Sequence, residues 1–243
     1  MRRLIVNADD LGFTRDVNEG IVEAHRNGIL TSATIMAIGG AFHHGVKCAG
    51  ENPGLGVGVH LVLVGERELP KTPAGLVAAV LTGGLDLERE LDGQMRRVLS
   101  AGIQPTHLDT HKHSHLLPQV AEALGKVSEK YNVPWVRRPL AKPVFGAWSK
   151  RILVRHGCKM VDRFAGYELT GKLGEAELVR FIETVEDGTT ELMCHPGFCR
   201  EDLLAARTRL KESREVELRA LTSQVVREAV ERRGVELVGY GGN

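Results

Sequence analysis

The chain has 243 residues, 42% of them hydrophobic and 26% charged, an ordinary globular composition with enough length to bury a substantial core in one domain. Its 32 Lys+Arg against 31 Asp+Glu leave a formal charge of +1, so no long-range field draws it to a polyanion and no nucleic-acid partner is expected. The opening Met1-Arg2-Arg3 leads into Leu4-Ile5-Val6 and stops at Asn7, too short an apolar run for a signal peptide or an integral membrane segment.

In chain order, Leu4 to Ala8 is expected as the first strand, and Thr14 then opens a helix with Val17, Ile21, Val22 and Ala24 on one face. Gly28 is expected just past its end. Further strands are expected near Ser32–Ala37, Leu55–Leu63, Thr106–Thr110, Pro134–Arg137, Glu191–Cys194 and Glu236–Val238, with helices between several of them. Strand-then-helix alternation implies an α/β fold with a largely parallel sheet. The segment Gly65 to Leu85, with Pro70, Pro73 and Gly83-Gly84, is the least regular and is expected to be a loop or lid. Val216, Leu218, Leu221, Val225, Val226, Ala229 and Val230 form the stripe of a last helix whose Arg and Glu residues read as a solvated face. With no low-complexity tract, linker or internal repeat, residues 1–243 are expected to be a single domain. The cysteines Cys48, Cys158, Cys194 and Cys199 form no paired CxxC pattern, which argues against a disulfide framework or zinc knuckle and for a reducing cytoplasm.

Most of these strands end in a side chain able to bind a metal or move a proton. Asp9 and Asp10 follow the first, His60 lies at the end of Gly56-Val57-Gly58-Val59-His60-Leu61, and Asp109 and His111 close the Thr106 strand. Arg137 and Arg138 follow Trp135-Val136, and His195 follows Leu192-Met193-Cys194. In a parallel sheet such ends share one side, where strand-to-helix loops build active sites. Each residue also has a plainer role available. Asp9-Asp10 before Leu11-Gly12 suits a turn, His60 a hydrogen-bonded core position, His195-Pro196-Gly197 a turn, and Arg137 and Arg138 a surface ion pair as readily as a hydroxyl or phosphate contact. Cys194 and Cys199 suit a buried small residue and a loop thiol, while His25, His43, His44 and His156 fall in expected helices. The tract His107 to His115 is more telling, because an extended segment would place four histidines and Asp109 on one face.

Asn7-Ala8-Asp9-Asp10-Leu11-Gly12, Gly58-Val59-His60, Thr106 to His115 and His195-Pro196-Gly197-Phe198 together resemble the YdjC-like carbohydrate deacetylase family, over roughly residues 3 to 200. The tract Asp109-Thr110-His111-Lys112-His113 departs from the family's commoner Asp-Ser-His-His-His and is more similar to the branch associated with hopanoid lipid biosynthesis, which leaves the substrate open. The resemblance implies a deformed (β/α) barrel related to polysaccharide deacetylases. It also implies a divalent cation held by Asp10, His60 and His111, with Asp9 as general base and His195 as general acid.

One carboxylate and two neutral imidazoles leave coordination positions open, as catalysis requires. Such mixed ligation suits Zn²⁺, Co²⁺ or Ni²⁺ on softness, whereas Mg²⁺ prefers oxygen; the resemblance keeps Mg²⁺ in the set. Metal binding can lower water's pKa from ~15.7 to ~7, a shift beyond a carboxylate of ordinary pKa near ~4, so Asp9 would collect the proton rather than generate the nucleophile. His195 can hold a proton for the departing nitrogen, and Asp109 can orient a ligand imidazole. The expected activity is hydrolysis of an N-acetyl amide on a small sugar or glycolipid headgroup. A homo-oligomer is compatible with the sequence. A phosphoesterase on the same ligands, or a non-catalytic sugar- or metal-binding protein, are the rivals; no GxSxG or GxGxxG supports a serine hydrolase or an oxidoreductase.

Overall fold

The computed structural model describes residues 1–66, 68–140 and 144–242. In chain order the elements are β1 (Arg2–Leu11), α1 (Arg15–Asn27), β2 (Ser32–Ile35), α2 (Phe42–Gly50), β3 (Gly56–Leu61), α3 (Pro73–Leu81), α4 (Leu87–Ser100), β4 (Leu108–Thr110), a 3-10 helix (His111–Leu116), α5 (Pro118–Tyr131), α6 (Val144–Arg155), β5 (Arg163–Ala165), α7 (Glu175–Glu183), β6 (Gly188–Cys194), α8 (Glu201–Ala205), α9 (Glu212–Leu221), α10 (Gln224–Arg233) and β7 (Val235–Leu237). The strands run in the order β4-β3-β2-β1-β6-β5, with β7 against β1, and β1 pairs with β2, β6 and β7, β3 with β4 and β5 with β6, each in parallel. The α/β class with a largely parallel sheet is therefore what the chain adopts. No helix of the described residues is long and apolar enough to cross a membrane.

By compactness the chain divides into two units, Met1–Ile35 with Gly39–Val57 and Val161–Asn243, and Met36–Ile38 with Gly58–Met160. In the first, β1 is central and buried from Leu4 to Leu11. Its apolar Leu4-Ile5-Val6 run suits a strand covered on both faces, and the buried Asn7, Asp9 and Asp10 mark the end of it that departs from that pattern. Thr14 caps α1 by accepting from Val17 N at 3.2 Å, as the sequence suggests. Gly28 stands just past the end of α1 as expected, though its φ of −139° is not left-handed; a Cβ there would sit 2.4 Å from Leu221 O, so this glycine also serves close approach to α9. The expected single last helix is two, because Ser223 caps α10 by accepting from Val225 N. Nor are its charges all solvated: Arg214 and Glu217 are each 1% exposed, while the expected core residues Val216 and Val225 are 39% and 50% exposed.

In the second unit β3 and β4 pair in register, Val59 with Leu108, His60 with Asp109 and Leu61 with Thr110. Val59 N donates to His107 O at 2.9 Å. This approach needs a bare Gly58, since a Cβ there would lie 2.5 Å from His107 O and 2.6 Å from the His107 ring. Gly58→Ala should therefore cost about 1–3 kcal/mol of stability by overpacking, read as a lowered melting temperature. Pro134–Arg137 makes only bridges, Leu108 to Val136 and Trp135 to Lys159. The Gly65–Leu85 segment, described except for residue 67, is not a plain loop: Thr72 caps α3, with Pro73 in its first turn.

Candidate active site

In the first unit the two aspartates are separated by a bulge. Ala8 pairs with Ala33 and Leu11 with Ile35, so β1 spends one residue more than β2. Asp10 takes a φ of 71°, a left-handed conformation that Asp tolerates better than most residues. The carboxylates consequently meet different partners. Asp9 Oδ1 accepts from Asn7 Nδ2 at 3.1 Å, whereas Asp10 Oδ2 accepts from Arg214 Nη2 at 2.5 Å. The turn beyond is fixed by Phe13 N to Asp10 O at 3.0 Å and by Gly12 N to Asn18 Oδ1 at 2.5 Å.

The neighbouring β6 pairs Cys194 with Ala8, which brings His195 up beside Asp9. His195 Nε2 lies 3.9 Å from Asp9 Oδ2, within ion-pair reach but too far for a hydrogen bond. The His195 backbone N–H donates to Glu217 Oε2 at 2.6 Å. Gly197 N donates to Arg214 O at 3.2 Å and Phe198 N to Asp16 O at 3.1 Å, tying the His195-Pro196-Gly197 turn to α9 and α1. A Cβ on Gly20 would stand 2.4 Å from Gly197 Cα, so only glycine lets α1 lie against this turn. Glu217 also accepts from Gly171 N at 3.2 Å. Burial pushes its carboxyl up to about 7, against the lowering pull of the His195 N–H, the Arg214 charge and the Gly171 N–H, with Asp9 adding to the rise. A cleft of about 360 Å³ in this unit is lined by residues that include Phe13, Arg15, Ala41, His43, His44 and Asp202, and by none of Asp9, Asp10 and His195.

The second unit holds a chain of charges. Arg137 Nη1 is 2.8 Å from Asp109 Oδ2, Asp109 Oδ1 is 2.6 Å from His60 Nδ1, and His60 Nε2 is 3.1 Å from His111 Nδ1. Arg137, Asp109 and His60 are all buried. Arg137 is thus no surface ion pair: its backbone N–H donates to Leu108 O at 2.9 Å, and its guanidinium neutralises the carboxylate behind His60. Arg138 beside it is half-buried. Asp109 does orient an imidazole, that of His60 rather than of its sequence neighbour. By accepting at Nδ1 it selects the tautomer whose Nε2 lone pair faces His111.

The expected row of histidines does not form. The strand stops at Thr110, and Lys112 and His113 turn left-handed at φ 53° and 51° inside the 3-10 helix. Period two fails beyond that point. His115 instead sits on Thr110, its ring Nδ1 2.6 Å and its backbone N 3.0 Å from Oγ1, with His113 edge-on at 5.7 Å between ring centroids. The His107 ring Nδ1 lies 2.9 Å from Thr106 Oγ1. All four cysteines are free thiols. Cys194 is buried with its Sγ 3.4 Å from Asn7 O, and desolvation followed by Glu212 and Glu215 raises the Cys199 thiol above its ordinary range.

Carboxylates and imidazoles at the carboxyl ends of parallel strands are the equipment of a β/α hydrolase. A family model described as YdjC-like protein matches residues 3–232, and the chain belongs to that family. It is 37% identical to the carbohydrate deacetylase of Brevibacillus brevis over 98% of both chains. It is 32% identical to the chitooligosaccharide deacetylase of Salmonella paratyphi B over 96% of both. The crystal structure titled a putative cellobiose-phosphate cleavage protein from Enterococcus faecalis has a TM-score of 0.84 at 26% identity, covering 98% of this chain and 97% of that one.

Proposed function

We propose that the chain hydrolyses the N-acetyl amide of a small amino sugar, releasing acetate and a free amine. In this reading Asp10, His60 and His111 hold one divalent cation, Asp9 is the general base and His195 the general acid. The observation that carries it is the His60–His111 pair, whose ring nitrogens face each other at 3.1 Å. Two imidazoles bound to one zinc at ~2.0–2.1 Å stand roughly 2.9–3.4 Å apart for ligand angles between octahedral and tetrahedral. The spacing fits the group, and the Asp109–Arg137 pair behind His60 is the outer support that metal-binding imidazoles characteristically have. Asp10 supplies the anion that two neutral imidazoles lack.

When bound, the cation supplies Lewis acidity toward water and the amide carbonyl. In this reading Asp9, held by Asn7, collects the proton lost by the attacking water, and His195, whose Nε2 is 3.9 Å from Asp9 Oδ2, delivers one to the departing nitrogen. The deacetylase names of the relatives support the reaction class. The proposed substrate is a mono- or disaccharide or a glycolipid headgroup rather than a long polymer.

The test is acetate release from N-acetylglucosamine, its disaccharide and long chitin chains, by metal-stripped protein reloaded with Zn²⁺, Co²⁺, Ni²⁺ or Mg²⁺. Activity on the small substrates that disappears with the metal and returns with it is expected. Phosphate release from sugar phosphates without any acetate release would favour a phosphoesterase instead, and equal turnover of polymer and disaccharide would remove the size restriction.

A further inference from the structure

We infer that Arg214 and Glu217, one turn apart on α9, are positioning residues that hold the candidate ligand Asp10 and the candidate acid His195 from behind. This rests on the proposed roles of those two residues. Arg214 and Glu217 are each 1% exposed, in a helix whose sequence suggests a solvated charged face. Positions three apart on a helix share a side, and here both reach the same pair of strand ends. Arg214 Nη2 donates to Asp10 Oδ2 at 2.5 Å while its own carbonyl accepts from Gly197 N at 3.2 Å. Glu217 Oε2 accepts from the His195 N–H at 2.6 Å.

Two effects follow. A buried carboxylate without a cation is costly, so Arg214 keeps Asp10 in its anionic form and leaves Oδ1, the oxygen Arg214 does not take, as the one to offer a metal. The Nη1 and Nε atoms of Arg214 are buried with no hydrogen-bond partner among the described residues, and the guanidinium carbon lies 5.9 Å from the centre of the Phe13 ring, so its side-chain hydrogen bonding is directed to Asp10. Glu217 fixes the backbone at His195, which sets where the imidazole stands relative to Asp9. Because one helical turn carries both contacts, α9 acts as a gauge for the distance between the ends of β1 and β6.

The experiment measures Co²⁺ and Zn²⁺ affinity by equilibrium dialysis, the visible absorption of the Co²⁺ form, and separate kcat and KM values. The variants are Arg214→Met, Arg214→Lys, Glu217→Leu, Glu217→Gln and the control Asp10→Asn, each checked for folding by circular dichroism. Arg214→Met should weaken metal binding by ~10–100-fold, the usual effect of losing an outer partner, and shift the Co²⁺ spectrum; Arg214→Lys, which keeps charge but not the fork, should fall between. Glu217→Leu should keep the metal and lower kcat with little change in KM, and Glu217→Gln should recover most of it because an amide oxygen still accepts from His195 N. If Asp10→Asn loses the metal while Arg214→Met binds it as tightly as the native protein, the positioning role is overturned and the ligand assignment survives. If Asp10→Asn binds metal normally, the ligand assignment fails and this inference with it. Should Arg214→Met not fold, native affinity and an unchanged spectrum in Arg214→Lys overturn the role.

Discussion

Asp9→Asn should leave a divalent cation bound and slow acetate release by ~10²–10⁴-fold, the usual contribution of a general acid or base, whereas Asp10→Asn should lose the cation itself. The two residues are adjacent in sequence, but the bulge at the end of β1 sends them to different partners, Asn7 for Asp9 and Arg214 for Asp10. An amide at position 10 is a weaker ligand than a carboxylate, so activity should fall with occupancy and return in part at excess metal. At position 9 excess metal should restore nothing, because the missing function is proton acceptance. Asp10→Asn also strands the buried Arg214 charge, so its melting temperature should drop more than that of Asp9→Asn. Metal analysis and rates on both variants decide the matter: metal lost from Asp9→Asn and kept by Asp10→Asn would exchange the two roles, and full activity in both would remove them from catalysis.

The parts of the site that were legible in the sequence are those created by local rules. Apolar runs that end in Asp9-Asp10, His60, Asp109 and His195 read as buried strands with polar ends, and a parallel sheet aligns such ends without further information. The histidine tract was read less well because period two holds only while a strand lasts. Thr110 ends β4 and uses its hydroxyl to fold His115 back, after which Lys112 and His113 turn left-handed. No local residue preference announces two consecutive non-glycine residues in that region. The helix inside the Gly65–Leu85 segment did carry a signal, Thr72 before Pro73, which is a capping residue followed by the proline that helices accept at their start. It was outweighed there by the density of Pro and Gly.

Arg214 and Glu217 were missed for a different reason. A helix rich in Arg and Glu is usually solvated, and nothing in residues 212–221 distinguishes the two buried charges from their exposed neighbours. What buries them is a carboxylate 204 positions earlier in the chain and a backbone N–H 22 positions earlier. Long-range pairing of this kind has no period. The same holds for Arg137, whose partner Asp109 lies on the adjacent strand and whose surroundings, Trp135-Val136-Arg137-Arg138, read equally well as a surface patch.

Arg137→Met should be among the most destabilising single changes in the second unit, by about 3–5 kcal/mol, because it leaves the buried Asp109 carboxylate facing methylene groups. Asp109 and Arg137 are both 0% exposed and 2.8 Å apart, so water cannot replace the guanidinium without opening the strand ends. His60, whose Nδ1 is 2.6 Å from the other Asp109 oxygen, can offset that charge by taking a proton. That rescue has a consequence for the site, since a protonated imidazole has no lone pair for a metal. Arg137→Met should thus bind Zn²⁺ more weakly than the native protein. In Arg137→Met/Asp109→Leu the stranded charge is gone, so chemical denaturation should show much of the lost stability returning, while metal affinity stays low because nothing then orients His60. A double variant no more stable than Arg137→Met, or a single variant with native stability and native metal affinity, would show that the Arg137–Asp109 pair does not hold His60 in its metal-facing form.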